Sequence, residues 1–470
     1  MNHQKMKPHD IEALRKIVGD KQVLVGDAIA REYGHDEMGT VFAMPEALVI
    51  VKDKKQVMAV MHHAHDRYLP VTVRGSGTGL VGACVPLSGG ILLDTTAMNK
   101  IIELDKDNLT LRVEPGVLLL DIASHVEKEG LFYAPDPGEK TATIGGNIAT
   151  NAGGMRAVKY GVTRDWVRGL EVVLADGSLV RFGGKVVKNS TGYALKDLMI
   201  GSEGTLGIIV EATLRLMPMP QKNVSLLVPF KDRMDAIKAA PALLSEGPVP
   251  TAVEFFEQAL IVHSASFLGK KMPHPDHDAY LLISYDADSD VALDQMVAQA
   301  SARCVDELAA IDVLLVDTEE RKTSVWSARS AFLEAIKSST PAMDECDVVL
   351  PRAAIGTFLD FVRNLAGQLS VRIPYFGHVG DGNLHLYVCK DKLDDDAWKQ
   401  VVNQAFDAMY AKAAELGGLV SGEHGIGHAK MTYMARQLGN RQLALMRGIK
   451  QVFDPRNILN PGKIVDFDSN

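Results

Sequence analysis

Two glycine-rich stretches carry the side chains best able to do chemistry. One reads Gly377-His378-Val379-Gly380-Asp381-Gly382-Asn383-Leu384-His385, the other Ser421-Gly422-Glu423-His424-Gly425-Ile426-Gly427. His378 and His385 bracket the turn-forming run GDGN, so a tight turn can bring both imidazoles to one point. Glycines around them allow positive φ and close approach of backbone to a ligand. Two neutral imidazoles, His378 and His385, with the carboxylate of Glu423 leave coordination positions open on a divalent ion, which is what a catalytic metal needs. Zn, Fe and Mn all accept such a set. The spacing is not that of a helical HExxH peptidase, because the pair is too far apart and has no Glu between. The same histidines could instead cap turns or sit hydrogen-bonded in a core. The expectation is a metal site that handles a small ligand, with the reaction left open.

These stretches need a scaffold to position them. With 470 residues and 47% hydrophobic content, the chain can bury one large core or two to three smaller ones. A net charge of −9 argues against a nucleic-acid binder, which usually carries a basic stripe. The opening MNHQKMKPHDIEALRKIV lacks the apolar core of a signal peptide, and no apolar run reaches bilayer length. A cytoplasmic protein without a transmembrane segment is therefore expected. Cys84, Cys304, Cys346 and Cys389 stand singly, so neither a disulfide framework nor an iron–sulfur cluster of the chain's own is expected.

The first half reads as a binder of something phosphorylated. A buried-strand run at residues 47–51 and a helical run at 54–66 lead to a strand at 70–73. The loop Arg74-Gly75-Ser76-Gly77-Thr78-Gly79-Leu80-Val81-Gly82 follows, and its N–H groups can surround a pyrophosphate. No Lys-Ser/Thr ends it, so it is not a Walker loop. Pro86 comes too soon for a following helix and no βαβ frame is expected, so a Rossmann loop fits poorly. Two more segments follow, Thr143-Ile144-Gly145-Gly146-Asn147-Ile148-Ala149-Thr150-Asn151-Ala152-Gly153-Gly154 and Ile200-Gly201-Ser202-Glu203-Gly204-Thr205-Leu206-Gly207-Ile208-Ile209. Their many small donors and few charges suit a large, mostly neutral ligand with a pyrophosphate, such as a flavin dinucleotide.

Past Pro218-Met219-Pro220 the texture changes. Strand-like runs at 224–228 and 279–284 alternate with helical runs at 232–244 and 291–309, which reads as a second domain. A helix is expected to begin at Trp326 and continue through Phe332 and Ile336, followed by a strand-like run at 343–351. A helical run at 406–416 stops at Gly417-Gly418, just before the Glu-His stretch.

Taken together, RGSGTG, TIGGN, IGSEGTLGI, GHVGDGNLH, SGEHGIG and Asn460-Pro461-Gly462-Lys463 resemble the vanillyl-alcohol-oxidase (PCMH-type) flavoproteins. Within them the match is to the branch of glycolate oxidase large subunits, D-lactate dehydrogenases and D-2-hydroxyglutarate dehydrogenases. The resemblance spans nearly the whole chain from Val41 onward.

It implies an α+β fold: a PCMH-type FAD-binding domain at 1–218, an αβ cap with the metal site at 219–430, and a C-terminal segment at 431–470 that returns to the flavin. FAD would be wrapped by Arg74, Gly75, Ser76, Gly77, Thr78 and Gly79. It would be lined by Pro135, Gly138, Thr143, Gly145, Gly146, Asn147, Thr150, Ala152 and Gly153, with Gly207, Ile208, Ile209 and Asn460 as late contacts. No histidine lies within 74–82 and Cys84 sits just outside, so non-covalent FAD is expected.

The resemblance also implies that Arg329 grips the substrate carboxylate; Lys430 is expected to assist, and His424, next to the ligand Glu423, is the candidate general base. A short 2-hydroxy acid, lactate (D-) or glycolate, would be oxidised to the 2-oxo acid. The acidic residues around Glu345 disfavour a second carboxylate such as that of 2-hydroxyglutarate. Electrons would pass to an electron-transfer flavoprotein or iron–sulfur subunit, the rival being an oxidase that uses O₂. A homodimer is compatible with the resemblance.

Overall fold

The computed structural model describes residues 3–269 and 276–465. The chain forms two units, one of Met1–Gly153, Val162–Met219 and Glu423–Asn470, the other of Gly154–Gly161 and Pro220–Gly422.

In the first unit a four-stranded sheet runs in the order Val23–Val25, Ala47–Ile50, Ile91–Asp94, Val71–Arg74, the last three strands parallel. The helix Lys54–Arg67 joins two of these strands. Asp53 caps it by accepting from the N–H groups of Lys55 and Gln56, and Val57, Val60, Met61 and Ala64 form its buried face. These residues share a core with Val49, Val71, Ile91 and Leu93. A β–α–β crossover therefore does precede the 74–82 loop, contrary to expectation. The helix that a Rossmann loop would open is still missing, because the chain runs through turns from Gly75 to Gly90.

A five-stranded antiparallel sheet follows in the order Ile101–Asp105, Thr110–Val113, Ile208–Arg215, Val167–Val173, Leu179–Gly183. The C-terminal segment returns to the first sheet: Val71 N–H donates to Ile458 O at 2.7 Å and Asn460 N–H to Val71 O at 2.8 Å.

The second unit is built on a seven-stranded antiparallel sheet. Its order is Leu314–Val316, Lys222–Phe230, Ala279–Ala287, Ala252–Glu257, Tyr375–His378, Asn383–Cys389, Met343–Val349. Helices Gln258–Leu268, Glu319–Ser330 and Phe332–Ser338 belong to this unit, and Leu260, Ile261, Val325, Phe332 and Ile336 pack with the sheet residues Phe256, Phe376 and Tyr387.

The helix expected to start at Trp326 begins a full seven residues earlier. Thr318 is its N-cap, with Oγ1 accepting from Arg321 N–H at 3.2 Å, and Glu319 and Glu320 stand in its first turn. It ends at Ser330, and a separate helix starts at Phe332.

Candidate functional site

The first unit presents the glycine-rich segments along its sheet ends. Arg74 closes the strand before the first loop, and its guanidinium is hydrogen-bonded inside the protein. Nη1 donates to His35 O at 2.6 Å and Nη2 to Glu32 O at 3.0 Å, and the group lies 5.5 Å from the Tyr33 ring centroid. Arg74 thus frames the loop from below. Gly77 has φ +80, and a Cβ there would lie 2.0 Å from Arg74 Nη2. At Gly75 a Cβ would lie 2.1 Å from Thr143 Oγ1, so the first loop can lie against the second segment only without a side chain. Ser76 Oγ donates to Thr141 O at 2.7 Å. Thr78 and Gly79 continue the same turn-rich stretch.

Pro135 and Gly138 sit in the connection ahead of the short helix Ile144–Thr150, whose N-cap is Thr143. Gly145 and Gly146 form its first turn, and a Cβ on Gly145 would meet Pro115 O at 2.9 Å. Thr150 Oγ1 donates back to Gly146 O at 3.2 Å, and Ala152 O accepts from Thr163 Oγ1 at 2.8 Å. A Cβ on Gly153 would lie 2.9 Å from Glu423 Cβ, so the end of the second segment and the start of the Glu-His stretch abut.

Ile208 and Ile209 pair with Val173 and Val172, and the Ile208 side chain packs in the core. Gly207 lets this strand close on Val172, where a Cβ would approach Cγ1 to 2.4 Å.

Two buried polar atoms fit a flavin. Asn147 Nδ2 and Asn460 Oδ1 are buried with no hydrogen-bond partner among the described residues, and an amide and a carbonyl left so are costly unless a ligand pairs them. Asn460 is held in place through its other atom, Nδ2 donating to Ala83 O at 2.9 Å and Glu203 O at 2.7 Å.

Glu203, which sequence reasoning passed over, organises the Glu-His stretch. Its carboxylate accepts from Ile426 N–H and Gly427 N–H, both at 2.7 Å. Burial dominates its titration and pushes the carboxyl up to about 7. Lys463 lies near by, fully buried, with Nζ donating to Val85 O at 2.7 Å, and burial lowers it to about 8. The signal for Glu203 was its place as the single acid among IGSEGTLGI. His424 Nε2 lies 4.0 Å from Glu423 Oε1, and Lys430 is buried just before the helix Met431–Phe453.

The second unit gathers the rest on one face of its sheet. Strand alternation puts Glu254, Phe376, His378, Asn383, His385, Tyr387, Glu345 and Asp347 on that face. His378 pairs with Asn383 and Phe376 with His385, so the two histidines are diagonal neighbours across a hairpin, with ring centroids 5.4 Å apart and planes at 85°. The hairpin turns at Gly382 (φ +94), where a Cβ would strike Leu350 O at 2.1 Å.

Each histidine gives its Nδ1 to a carboxylate from a neighbouring strand: His378 to Glu254 Oε1 at 2.5 Å, His385 to Glu345 Oε1 at 3.0 Å. A neutral imidazole so bound keeps Nε2 for a metal, and a carboxylate behind the ring is the usual support of a ligating histidine. The donor set fits a divalent cation. Tyr387 OH also donates to Glu345 Oε1 at 3.0 Å.

Asp347, wholly buried, accepts from Asn383 Nδ2 at 2.7 Å, Ser421 Oγ at 2.9 Å and Gly422 N–H at 3.1 and 3.2 Å. It therefore fixes the residue that precedes Glu423 in the chain.

Arg329 is already engaged within the protein. Its Nε and Nη2 donate to Glu254 Oε2 at 2.8 and 2.6 Å, so one bidentate edge is already used. Burial works to raise the Glu254 carboxyl, and its pairing with His378 and Arg329 outweighs that and holds it below the ordinary carboxylate value.

Two family models cover most of the chain: an FAD-binding domain over residues 45–183 and the C-terminal domain of FAD-linked oxidases over residues 219–464. The chain is 47% identical over 468 residues to a D-lactate dehydrogenase of Anaerostipes hadrus, covering 98% of each. It is 37% identical to glycolate oxidase subunit GlcD of Bacillus subtilis (strain 168), covering 97% of each. The solved structure of p-cresol methylhydroxylase with substrate bound shares the fold at a TM-score of 0.81 and 19% identity, over 98% of this chain and 97% of that one. Among the described residues no helix is long and apolar enough to cross a membrane. With an FAD-binding domain ahead of that C-terminal domain, the chain belongs to the FAD-linked oxidases.

Proposed function

We propose that this chain is an FAD- and metal-dependent dehydrogenase that converts a short 2-hydroxy acid, D-lactate or glycolate, to the 2-oxo acid. The observation that carries the reading is the pair His378 and His385, each backed by a carboxylate, in a chain that also holds an FAD-binding domain. The names of its relatives supply the substrate class. FAD supplies a two-electron acceptor and a divalent metal (Zn, Fe or Mn) a Lewis acid that lowers the pKa of an alcohol.

The protein's part is to hold and orient. Asn147 Nδ2 and Asn460 Oδ1 would pair with polar atoms of the flavin, and Gly75, Gly77 and the residues 143–153 would bring backbone N–H groups against the dinucleotide. His378 and His385 would offer Nε2 to the metal, and Glu423 a carboxylate oxygen. Its neighbour Gly422 is pinned by Asp347, which supports that assignment. Arg329 would take the substrate carboxylate on the guanidinium edge that Glu254 leaves open. His424, adjoining the ligand Glu423, would accept the hydroxyl proton as general base. Glu345, an acidic residue, sits beside His385, so a second substrate carboxylate approaching there would meet another carboxyl. That favours a monoacid over 2-hydroxyglutarate.

Electrons would leave to a partner protein, an electron-transfer flavoprotein or an iron–sulfur subunit. The four cysteines stand as separate free thiols and offer no relay of their own, which supports an external acceptor.

Anaerobic mixing of the purified yellow protein with D- and L-lactate, glycolate and D-2-hydroxyglutarate tests the reading. Bleaching of the flavin band by D-lactate or glycolate is expected. Bleaching by none of the four, or by D-2-hydroxyglutarate alone, would overturn it. Fast hydrogen peroxide release in air without an added acceptor would favour the oxidase.

A further inference from the structure

Glu254 is a fully buried carboxylate on a strand that no motif marks. A buried anion survives only if its oxygens are paired. Here Oε2 takes two hydrogen bonds from Arg329, at 2.8 Å from Nε and 2.6 Å from Nη2, and Oε1 takes Nδ1 of His378 at 2.5 Å. Strand register makes this junction rigid, because Glu254 lies directly opposite His378 in the antiparallel pair. The arginine is also held from its side, its guanidinium carbon 4.5 Å from the Phe376 ring centroid. The other histidine is served by a different acid: Glu345 supports His385 and Tyr387.

We propose that Glu254 is a positioning residue that locks the substrate-carboxylate anchor Arg329 and the metal-facing imidazole of His378 into one unit, so that its loss weakens metal and hydroxy acid binding together. The inference rests on the metal reading of His378 given above. Three effects converge on the one carboxylate. It holds the proton of His378 on Nδ1 and so keeps Nε2 a lone pair. It offsets the arginine's charge, which otherwise would stand buried beside a cation. It also sets the separation between the two groups, which a 2-hydroxy acid must bridge with its own two functional groups.

Glu254→Gln breaks all three with little change of shape. The amide oxygen must turn to Arg329, which leaves the NH₂ facing His378. That donor forces Nδ1 to become an acceptor and puts the ring proton on Nε2, the atom needed for metal.

The test uses the full-length, FAD-loaded protein after metal removal and reads two affinities. Co²⁺ is titrated by its visible absorption, and pyruvate, the product analogue of lactate, by the flavin difference spectrum. Glu254→Gln is expected to weaken Co²⁺ on the order of 10–100-fold, as for other acids behind ligating histidines, and pyruvate by about tenfold. Glu345→Gln is expected to weaken Co²⁺ alone. His378→Ala separates the two levels of argument. Wild-type Co²⁺ affinity in His378→Ala overturns the metal reading and with it this proposal. Loss of Co²⁺ in His378→Ala with both affinities within twofold of wild type in Glu254→Gln overturns the positioning role alone. Should Glu254→Gln not fold, Glu254→Asp keeps the charge but withdraws it by one methylene. Joint weakening of both affinities supports the proposal there, and unchanged affinities overturn it.

Discussion

The two units reach precision by opposite means. On the flavin side the polypeptide backbone is the instrument: Gly75, Gly77 and Gly145 allow contacts that no side chain would permit, and the waiting polar atoms are neutral amides. On the sheet of the second unit the instruments are charged side chains, set by strand register and by acids behind them, as Glu254 stands behind His378 and Glu345 behind His385. A large, mostly neutral cofactor is gripped over many weak contacts. A small anionic substrate needs a few strong ones, and those need support. The difference predicts that substitutions should fall into two separable classes.

The sharpest break should come at a histidine of the sheet. His385→Ala is expected to lose stoichiometric metal and essentially all turnover while keeping FAD, since the flavin segments belong to the first unit. Elemental analysis and the 450-nm flavin band check this, and full metal content in the variant would remove His385 from the ligand set. His424→Gln should come next. Removing a general base slows the step by about 10²–10⁴, so flavin reduction by D-lactate should slow by that order with metal content unchanged. Joint loss of metal would make His424 a ligand instead.

The converse class is reached through Gly77→Ala. A residue with a Cβ at φ +80 costs roughly 1–2 kcal/mol, and here it also displaces Arg74, so FAD should bind about tenfold or more weakly. Metal binding to the apoprotein should stay as in wild type. Equal loss of metal would blur the division between the two classes.

The smallest effect concerns pH. Glu203 is raised from an ordinary 4.5 to about 7 in the folded protein, so folding favours its protonated form. Its contribution is fully present below pH 4.5 and is lost as pH rises through about 7. Glu203→Gln cannot titrate, so the variant should gain stability relative to wild type across that window, by about 1–3 kcal/mol at one pKa unit per 1.36 kcal/mol. Denaturant midpoints at several pH values measure it, and a difference independent of pH would contradict the assignment.

Much of this was legible in the sequence because it is local. GDGN between two histidines specifies a hairpin, and a hairpin puts residues 378 and 385 on one face. Glycines and N-cap residues mark turns by their own chemistry. What escaped was long-range pairing. Glu254 lies 124 residues from His378, and only strand order in a seven-stranded sheet makes them partners. Glu203 stands 223 residues from Ile426. Arg74 and Arg329 were visible as charges, but the groups that absorb those charges, backbone carbonyls in one case and Glu254 in the other, are not adjacent in sequence. The helix that carries Arg329 starts at Glu319, where Thr318 as N-cap and two acids in the first turn mark it, and not at Trp326.

The central claim is that oxidation of the hydroxy acid depends on a metal held by His378, His385 and Glu423 as well as on the flavin. Stopped-flow reduction of the bound FAD by D-lactate, before and after stripping with a chelator, tests it most directly. The account predicts that stripped protein keeps its yellow colour, fails to bleach with D-lactate, and recovers on adding back a divalent cation. Bleaching at the untreated rate by protein shown to be metal-free would contradict it.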